Sequence, residues 1–527
     1  MDVLFVGAGP AGLSGAIELA RLVKEDLELA GSGGDRSLED LQIGVLEKAE
    51  ALGEHNLSGA VVNPVAMRAL FPHLSDTDFP FRAPVTREEV YLLTGRSALR
   101  LPAPPTMRNH GNYIASICEI VRWLGERAEE LGVNVLAGFP VESLLMQNGA
   151  AVGVRTVASG LGRDGEPGTG YSPPTDISAR VTVLSEGTRG ALSQAYLSSQ
   201  NVGSENPPLY ALGVKEVWET RVELRSIIHT LGWPVPNDAF GGTFMYPLEP
   251  NLVAMGIVVG LDAPDAGMDV HVLLQQAKTH RLFRRYLDGG EMVEWGAKTI
   301  PEGGYYALPQ RRSGAGVLIA GDAAGFVEVA SLKGIHYAMQ SGIFAARTVF
   351  AALKKGDFSA ASLAAYDVMV NDSFIVRDLH ERRNMRLSFH SDGFFLGGVK
   401  AGIMSISKGK LFGSRIAVEQ DAAVPRSAAG GNGFRPDGKL TFDKMEAVFK
   451  SGNVTRDTIP SHLIVAGDVP AHVAKFYAHV CPAGVYELSG ERLVVNAPNC
   501  VDCKATDVLG PRWTPREGGS GPKYRRM

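Results

Sequence analysis

Two groups of residues in this sequence have the types and spacing to do chemistry, and they stand at opposite ends of the chain. Near the C-terminus, Cys481-Pro482 and Cys500-Val501-Asp502-Cys503 place three of the four cysteines within the last 47 residues. Four cysteines are too few for a disulfide framework, and this clustering points to metal. A Cys-Pro close to a Cys-x-x-Cys is an iron–sulfur ligation pattern. Zinc is the rival reading, but no histidine pair lies nearby to complete it. At the N-terminus, Val3-Leu4-Phe5-Val6-Gly7-Ala8-Gly9-Pro10-Ala11-Gly12 runs straight into the Ala/Leu-rich Leu13-Ser14-Gly15-Ala16-Ile17-Glu18-Leu19-Ala20. Gly7 permits the turn, Gly9 the approach of a pyrophosphate and Gly12 close strand–helix packing, while the positive helix end faces the phosphates. Leu41 to Glu47 supplies the next strand and an acid for a ribose hydroxyl, followed by Lys48. A second glycine site, Gly316-Val317-Leu318-Ile319-Ala320-Gly321-Asp322, repeats strand and turn some three hundred residues later. Two grips that far apart suit a long cofactor held at both ends, FAD, better than NAD. No second complete G-x-G-x-x-G appears for a nicotinamide.

These residues require a doubly wound α/β frame. The gap from Gly12 to Glu47 exceeds the usual ~20 residues, and a polar glycine-rich insert at 31–37 absorbs the excess. After Lys48, the small-residue loop through Ser58-Gly59 lies where a flavoprotein wraps its cofactor. The spacing predicts a helix over 117–131, with apolar Ile117, Ile120, Val121, Leu124 and Ala128 on one face. A strand over 181–185 leads into Glu186-Gly187, a turn suited to closing over the adenosine side. From about 195 to 300, strand-like runs such as 251–259 stand among glycines, prolines and aromatics and predict an inserted β-rich domain. A helix is expected over 334–353. A small-residue linker at 425–435 precedes a compact tail. The organisation expected is a discontinuous Rossmann-like FAD-binding domain (1–195 and 300–425), a β-rich insert (196–299) and a ferredoxin-like iron–sulfur domain (436–527).

Composition narrows the function classes. The chain has 527 residues, 45% hydrophobic and 21% charged, with a net charge of −5. That is a globular profile and not a nucleic-acid-binding one. The first strand begins at residue 3, which leaves no room for a cleavable leader, and no run of ~18 uncharged apolar residues exists to span a bilayer. Cys118 reads as a buried apolar residue of its helix.

Over nearly its full length the sequence resembles the electron transfer flavoprotein–ubiquinone oxidoreductase family. The resemblance rests on Leu57-Ser58-Gly59-Ala60, Asn109-His110-Gly111-Asn112-Tyr113, Arg383-Asn384-Met385-Arg386, Cys481-Pro482-Ala483-Gly484-Val485-Tyr486-Glu487 and Glu517-Gly518-Gly519-Ser520-Gly521-Pro522. It implies an electron-transferring-flavoprotein dehydrogenase. FAD and a 4Fe–4S cluster would carry single electrons from reduced electron transfer flavoprotein to a membrane quinone, ubiquinone or menaquinone. It also implies that Gly7, Gly9, Ala11, Gly12, Glu47, Lys48, Ser58, Gly59, Glu186, Gly187, Gly321 and Asp322 hold FAD, that Gly241 and Gly242 border the quinone headgroup, and that Cys481, Cys500 and Cys503 bind iron. No acid/base dyad or nucleophile is then expected. The family's tail carries Cys-x-x-Cys-x-x-Cys, and here Thr506 takes the third place. An oxygen-ligated or iron-deficient cluster is expected, with Asp502 and Asp507 as nearby carboxylates. A monotopic protein on the cytoplasmic face of a bacterial inner membrane is expected, with membrane-facing segments near 57–74 and 394–410. The alternatives are an FAD-dependent monooxygenase, a geranylgeranyl-reductase-type oxidoreductase, or a redox-silent binding protein of the same fold.

Overall fold

The computed structural model describes residues 1–31, 36–427 and 433–527. The insert at 31–37 and the linker at 425–435 therefore lie partly outside the described residues. A six-stranded sheet runs in the order Ser313–Gly314, Val317–Ile319, Val181–Leu184, Val3–Val6, Ile43–Glu47, Asn134–Ala137. All pairings are parallel except that of the Ser313–Gly314 edge. Val3 to Val6 are all buried, as expected of a central parallel strand covered on both faces. The helix Pro10–Ala30 starts with proline in its first turn, where a missing N–H costs nothing. It packs against Ile335–Lys355 at a distance only small residues allow: a Cβ on Gly342 would overlap the Ala11 carbonyl. Ile335–Lys355 ends at Gly356 in the left-handed conformation, with Lys354 and Lys355 in its last turn. Both features suit a helix C-terminus.

The second layer is a seven-stranded sheet in the order Glu291–Pro301, Tyr210–Glu219, Leu252–Gly260, Gly241–Glu249, Ile227–Gly232, Glu88–Leu93, Ala98–Leu101. Its last two strands come from outside the 196–299 stretch. Glu88–Leu93 pairs in parallel with Ile227–Gly232 and so ties the insert into the first half of the chain. Its two glutamates followed by Val90-Tyr91-Leu92-Leu93 show no alternation that would mark it as sheet without its partner.

The terminal unit contains the helix Ala471–Val480 and the hairpin Tyr486–Ser489/Arg492–Val495. Its buried Val480, Val485 and Trp513 share one hydrophobic cluster with Trp218, Val253 and Phe283 of the seven-stranded layer, so it is fused to the body.

The two apolar stretches near 57–74 and 394–410 have different fates. In the first, Val62, Ala66, Met67, Leu70 and Phe71 are buried, and Phe71 meets Trp123 edge-on at 4.9 Å. Only Val65 among its large apolar residues is exposed, so this stretch is core and presents no apolar face. The second lies in a helix, Met385–Ser407, kinked at Gly393. Phe395, Leu396, Val399, Ile403 and Ile406 project from it into solvent, Phe395 and Ile406 at 68% and 78% exposure. Leu411 and Phe412 extend the patch. Among the described residues no helix is long and apolar enough to cross a membrane.

Candidate functional site

One cavity runs between the two sheets and is lined by Gly7, Gly9, Ala11, Glu47, Lys48, Ser58, Gly59, Glu186, Gly187, Gly321 and Asp322. It thus joins both glycine sites, as a long dinucleotide requires. Gly12 does not line it. A Cβ there would overlap the Gly7 carbonyl, so its role is the close approach of helix to turn. Glu47 accepts from the Ala8 amide (3.0 Å) and the Ala49 amide (2.9 Å), which fixes the glycine turn while its carboxylate borders the cavity. Glu186 is committed elsewhere: its carboxylate accepts from Leu192 N, Ser193 N and Ser193 Oγ at the start of the helix Ala191–Ser199. Asp322 sits in a single tight turn, Gly321–Ala324. Burial pushes its carboxyl up to about 6, with Lys298 pulling the other way. Open glycine backbone at a helix N-terminus, an acid at the end of the second strand and a second turn across the cavity together fit FAD.

The cavity also holds residues that sequence reasoning passed over. Lys215, Lys298 and Lys504 line it, with Thr188, Phe244, Tyr246 and Trp513. Lys215 donates to the Ser58 carbonyl (3.0 Å) and thereby holds the small-residue loop in place. Burial lowers Lys215 and Lys298 to about 8, and Lys504 to about 7. These cations face a site suited to a pyrophosphate-bearing, electron-accepting cofactor. Charged residues inside strands or loops carry no periodic signal. Only the apolar neighbours of Lys215, in Leu212-Gly213-Val214-Lys215-Glu216-Val217-Trp218, could have hinted at its burial.

Cys481, Cys500 and Cys503 are all buried, as is Thr506. Burial, followed by the neighbouring thiols, pushes Cys503 upward; burial and then Asp502 raise Cys500 to about 12. Such thiols ionise only against a cation, so the trio fits a metal centre. The fourth position is not a thiol, and neither nearby acid is free to replace it. Asp507 binds Arg189 Nε (2.6 Å) and the Trp513 amide (2.7 Å). Asp502 binds Lys48, Arg516 (3.1 Å) and Trp513 Nε1 (3.0 Å). Thr506 Oγ1 lies 3.4 Å from the Tyr486 hydroxyl. Cys118 is remote from these thiols, with its Sγ donating to the Asn56 and Met527 carbonyls.

The cysteine loop touches the cavity directly. The Cys503 carbonyl accepts from the Thr299 amide (3.0 Å), and Thr299 lines the cavity, as does Lys504. Lys48, next to Glu47, reaches across to Asp502 between the two cysteines.

Gly241 and Gly242 open the strand Gly241–Glu249 and lie outside the cavity wall. A Cβ on Gly241 would overlap the Val258 carbonyl, and one on Gly242 the Thr230 carbonyl. Close strand packing alone accounts for both glycines. Phe240, just before them, packs against Phe389 of the exposed apolar helix (5.1 Å between centroids) and under the Arg386 guanidinium (4.4 Å).

Fold and cavity define a flavoprotein-type oxidoreductase with a cysteine-bearing terminal domain. Solved structures agree on the fold: a geranylgeranyl bacteriochlorophyll reductase-like protein from Thermoplasma acidophilum aligns over 77% of this chain and 91% of its own at a TM-score of 0.59 and 17% identity. Aklavinone-11 hydroxylase, in its ternary complex with FAD and aklavinone, aligns over 73% and 69% at 0.51 and 19% identity. Residues 210–300 match the model described as ETF-QO, ubiquinone-binding, and residues 438–525 the one described as electron transfer flavoprotein-ubiquinone oxidoreductase, 4Fe-4S. The probable electron transfer flavoprotein-ubiquinone oxidoreductase of Acinetobacter baylyi is 35% identical over 100% of this chain and 98% of its own. The mitochondrial enzyme of Caenorhabditis elegans is 35% identical over 100% and 92%. The chain belongs to the electron transfer flavoprotein–ubiquinone oxidoreductase family.

Proposed function

We propose that this protein binds FAD in the two-ended cavity and passes single electrons from reduced electron transfer flavoprotein, through an iron–sulfur centre and FAD, to ubiquinone or menaquinone. The observation that carries this reading is the contact between cysteine loop and cavity, Cys503 C=O to Thr299 N–H, with Lys504 and Trp513 in the cavity wall. FAD and the metal centre supply the redox chemistry. The residues of the chain hold them close and exclude water. The test is quinone reduction by reduced electron transfer flavoprotein, using full-length, anaerobically purified protein and its Cys503→Ser variant. Wild-type turnover with a large loss in the variant supports the reading. Turnover that is indifferent to Cys503 refutes the route.

The metal centre departs from a four-thiolate site. With Asp502 and Asp507 held by Arg516 and Arg189, the position of Thr506 itself offers hydroxyl oxygen, from Thr506 and Tyr486. The cluster is therefore oxygen-ligated at one iron or lacks that iron, and it loses iron more readily than a four-thiolate site. Iron and sulfide analysis with electron paramagnetic resonance decides: near-zero iron refutes a cluster, and a Thr506→Cys variant is expected to gain stability toward chelators.

The protein lies on a membrane surface through the helix Met385–Ser407, on the cytoplasmic face of a bacterial inner membrane. Phe395, Val399, Ile403 and Ile406 follow helical spacing on one exposed face, with Lys408 and Lys410 exposed at its end. That is an apolar stripe with cations at lipid-phosphate level. The quinone site adjoins this helix near Phe240, Gly241 and Gly242. Liposome flotation of wild type and Phe395→Ser/Ile406→Ser tests it; wild type that stays in the soluble fraction refutes it.

A further inference from the structure

Three residues of the terminal domain, Lys504, Trp513 and Pro515, stand in the wall of the large cavity. Trp513 fixes which end of it they serve. Lys504 Nζ lies 4.5 Å and Lys48 Nζ 5.0 Å from the centroid of the Trp513 ring. Lys48 follows Glu47, and an acid at the end of the second nucleotide strand meets the ribose on the adenosine side of a dinucleotide. Phe139, Pro140 and Val141 line the same end, with the Phe139 amide donating to the Glu47 carbonyl (2.8 Å).

The stretch after Trp513 is fastened to that end through its backbone. The Gly519 amide donates to the Lys48 carbonyl (2.9 Å), and a Cβ on Gly518 would overlap the Gly138 carbonyl, so only glycine lets the two segments come this close. Glu517 accepts from the Gly160 amide (3.0 Å) and pairs with Arg456 (2.6 Å). Trp513 itself is fastened to the cysteine loop. Its Nε1 donates to Asp502 Oδ1 (3.0 Å), and its ring shares a buried cluster with Cys500 and Cys503. Asp502 and Lys504 flank Cys503 in the left-handed conformation, at φ 55° and 63°. Residues with a side chain rarely adopt it, and it persists only where the surroundings hold it. A metal bond at Cys503 is one such hold, and the Lys504 bonds to the Thr188 and Arg189 carbonyls (3.1 and 2.8 Å) are another.

A flat indole with two ammonium groups beside it suits a ligand end that joins a flat base to phosphates. We propose that Trp513, with Lys504 and Pro515, forms the wall of the adenosine end of the FAD site, and that metal in the cysteine loop and FAD in the cavity bind cooperatively. The proposal rests on the reading that the cavity takes FAD. One loop, 500–504, carries two cysteines, the wall residue Lys504 and the carboxylate that holds both Trp513 and Lys48. Metal that fixes this loop therefore fixes the wall before FAD arrives, and FAD is spared that ordering cost. Linkage makes the effect reciprocal, so FAD strengthens metal retention in turn. The iron–sulfur domain thereby decides whether a flavin with an adenosine end is kept. Trp513 sets the preference for FAD over FMN, which lacks the adenosine.

The test uses the full chain, purified anaerobically, stripped of flavin and titrated with FAD or FMN while flavin fluorescence is followed. Wild type carrying its metal is expected to bind FAD more tightly than FMN. In Trp513→Leu the ratio of the FMN to the FAD dissociation constant is expected to fall about tenfold, the order of one lost base–aromatic contact. Lys504→Met, a second wall variant, should lower the same ratio. Wild type stripped of iron by a chelator should lower it too, within the about 5–150-fold usual for coupled sites. Bound FAD should slow iron release to the chelator, and FMN should not. General damage to the fold weakens both flavins alike and leaves the ratio where it was. An unchanged ratio in the two variants therefore overturns the adenosine wall, and an unchanged ratio after iron removal overturns the coupling. Wild type purified without iron overturns the coupling together with the metal centre. Wild type that binds neither flavin overturns the FAD site and the wall together.

Discussion

Asp502 lies between Cys500 and Cys503, and its carboxylate, with Oδ1 3.8 Å from Cys500 Sγ, also gathers cations supplied by distant parts of the chain. Arg516 is 3.1 Å away, Lys48 closes from the strand end beside Glu47, and Trp513 Nε1 donates at 3.0 Å. Burial opposes its ionisation, but Arg516 and Lys48 hold it well below the usual carboxylate range. The Asp502→Asn substitution keeps an oxygen for Trp513 and removes only the charge, leaving Arg516 and Lys48 without a counter-ion. Arg516 is itself 6% exposed, with Nε and Nη1 already lacking partners among the described residues. An ion pair at that separation is worth about 5 kcal/mol at an effective dielectric constant of ~20, before desolvation is subtracted. Breaking one side of a buried pair costs about 3–5 kcal/mol. The retained Trp513 bond places Asp502→Asn at the lower end, about 3 kcal/mol. Urea unfolding followed by tryptophan fluorescence measures the loss. Lys523→Gln, whose partner Glu50 is 61% exposed, is the control and should cost no more than about 1 kcal/mol. Because Lys48 lines the cavity, flavin retention should fall together with stability in Asp502→Asn. A stability loss no larger than that of the control would refute the view that this carboxylate clamps the cysteine loop to the nucleotide strand.

Glu47→Gln keeps one acceptor oxygen but loses the other bond to the glycine turn and the charge behind both, a cost of about 1.5–3 kcal/mol, and should release FAD on gel filtration, read as a lower ratio of flavin to protein absorbance. Asp421 is raised to about 8 by burial, so the folded state keeps a proton that the unfolded chain gives up near 4. Its contribution is full below about pH 4 and declines by up to about 1.4 kcal/mol per pH unit toward pH 8. Asp421→Asn should abolish that slope, and melting temperatures taken at pH 5 and pH 8 check it. Gly342→Ala would drive a methyl group into the Ala11 carbonyl and should cost about 1–3 kcal/mol, seen as a lower melting temperature with the assigned flavin ligands unchanged.

What the sequence made legible follows from how local each feature is. The glycine turn, its strand and its helix are contiguous, and their spacing alone predicts the phosphate cradle and the packing role of Gly12; the structure adds that Gly7 and Gly9 border the cavity while Gly12 does not. The cysteines could be read because ligation is written in short intervals. Apolar runs are different, since a run shows that surface must be covered and not what covers it. The stretch near 61–74 is covered by Trp123 and the helix packed beside it, whereas the face carrying Phe395 and Ile406 has no cover among the described residues. Charged residues were the least legible. Lys48 and Asp502 are 454 positions apart, and Arg386 meets Asp262 and Glu302 only after two sheets have folded around it. For none of these residues does anything near it in the sequence show the partner that compensates its burial. A buried charge is retained only where a counter-charge has been brought to it. The positions where local reading fails are therefore the ones where distant segments must meet, and in this chain they fall between the cysteine loop and the nucleotide strand, and between the apolar helix and the cavity wall. The first of these is the junction that electrons would have to cross.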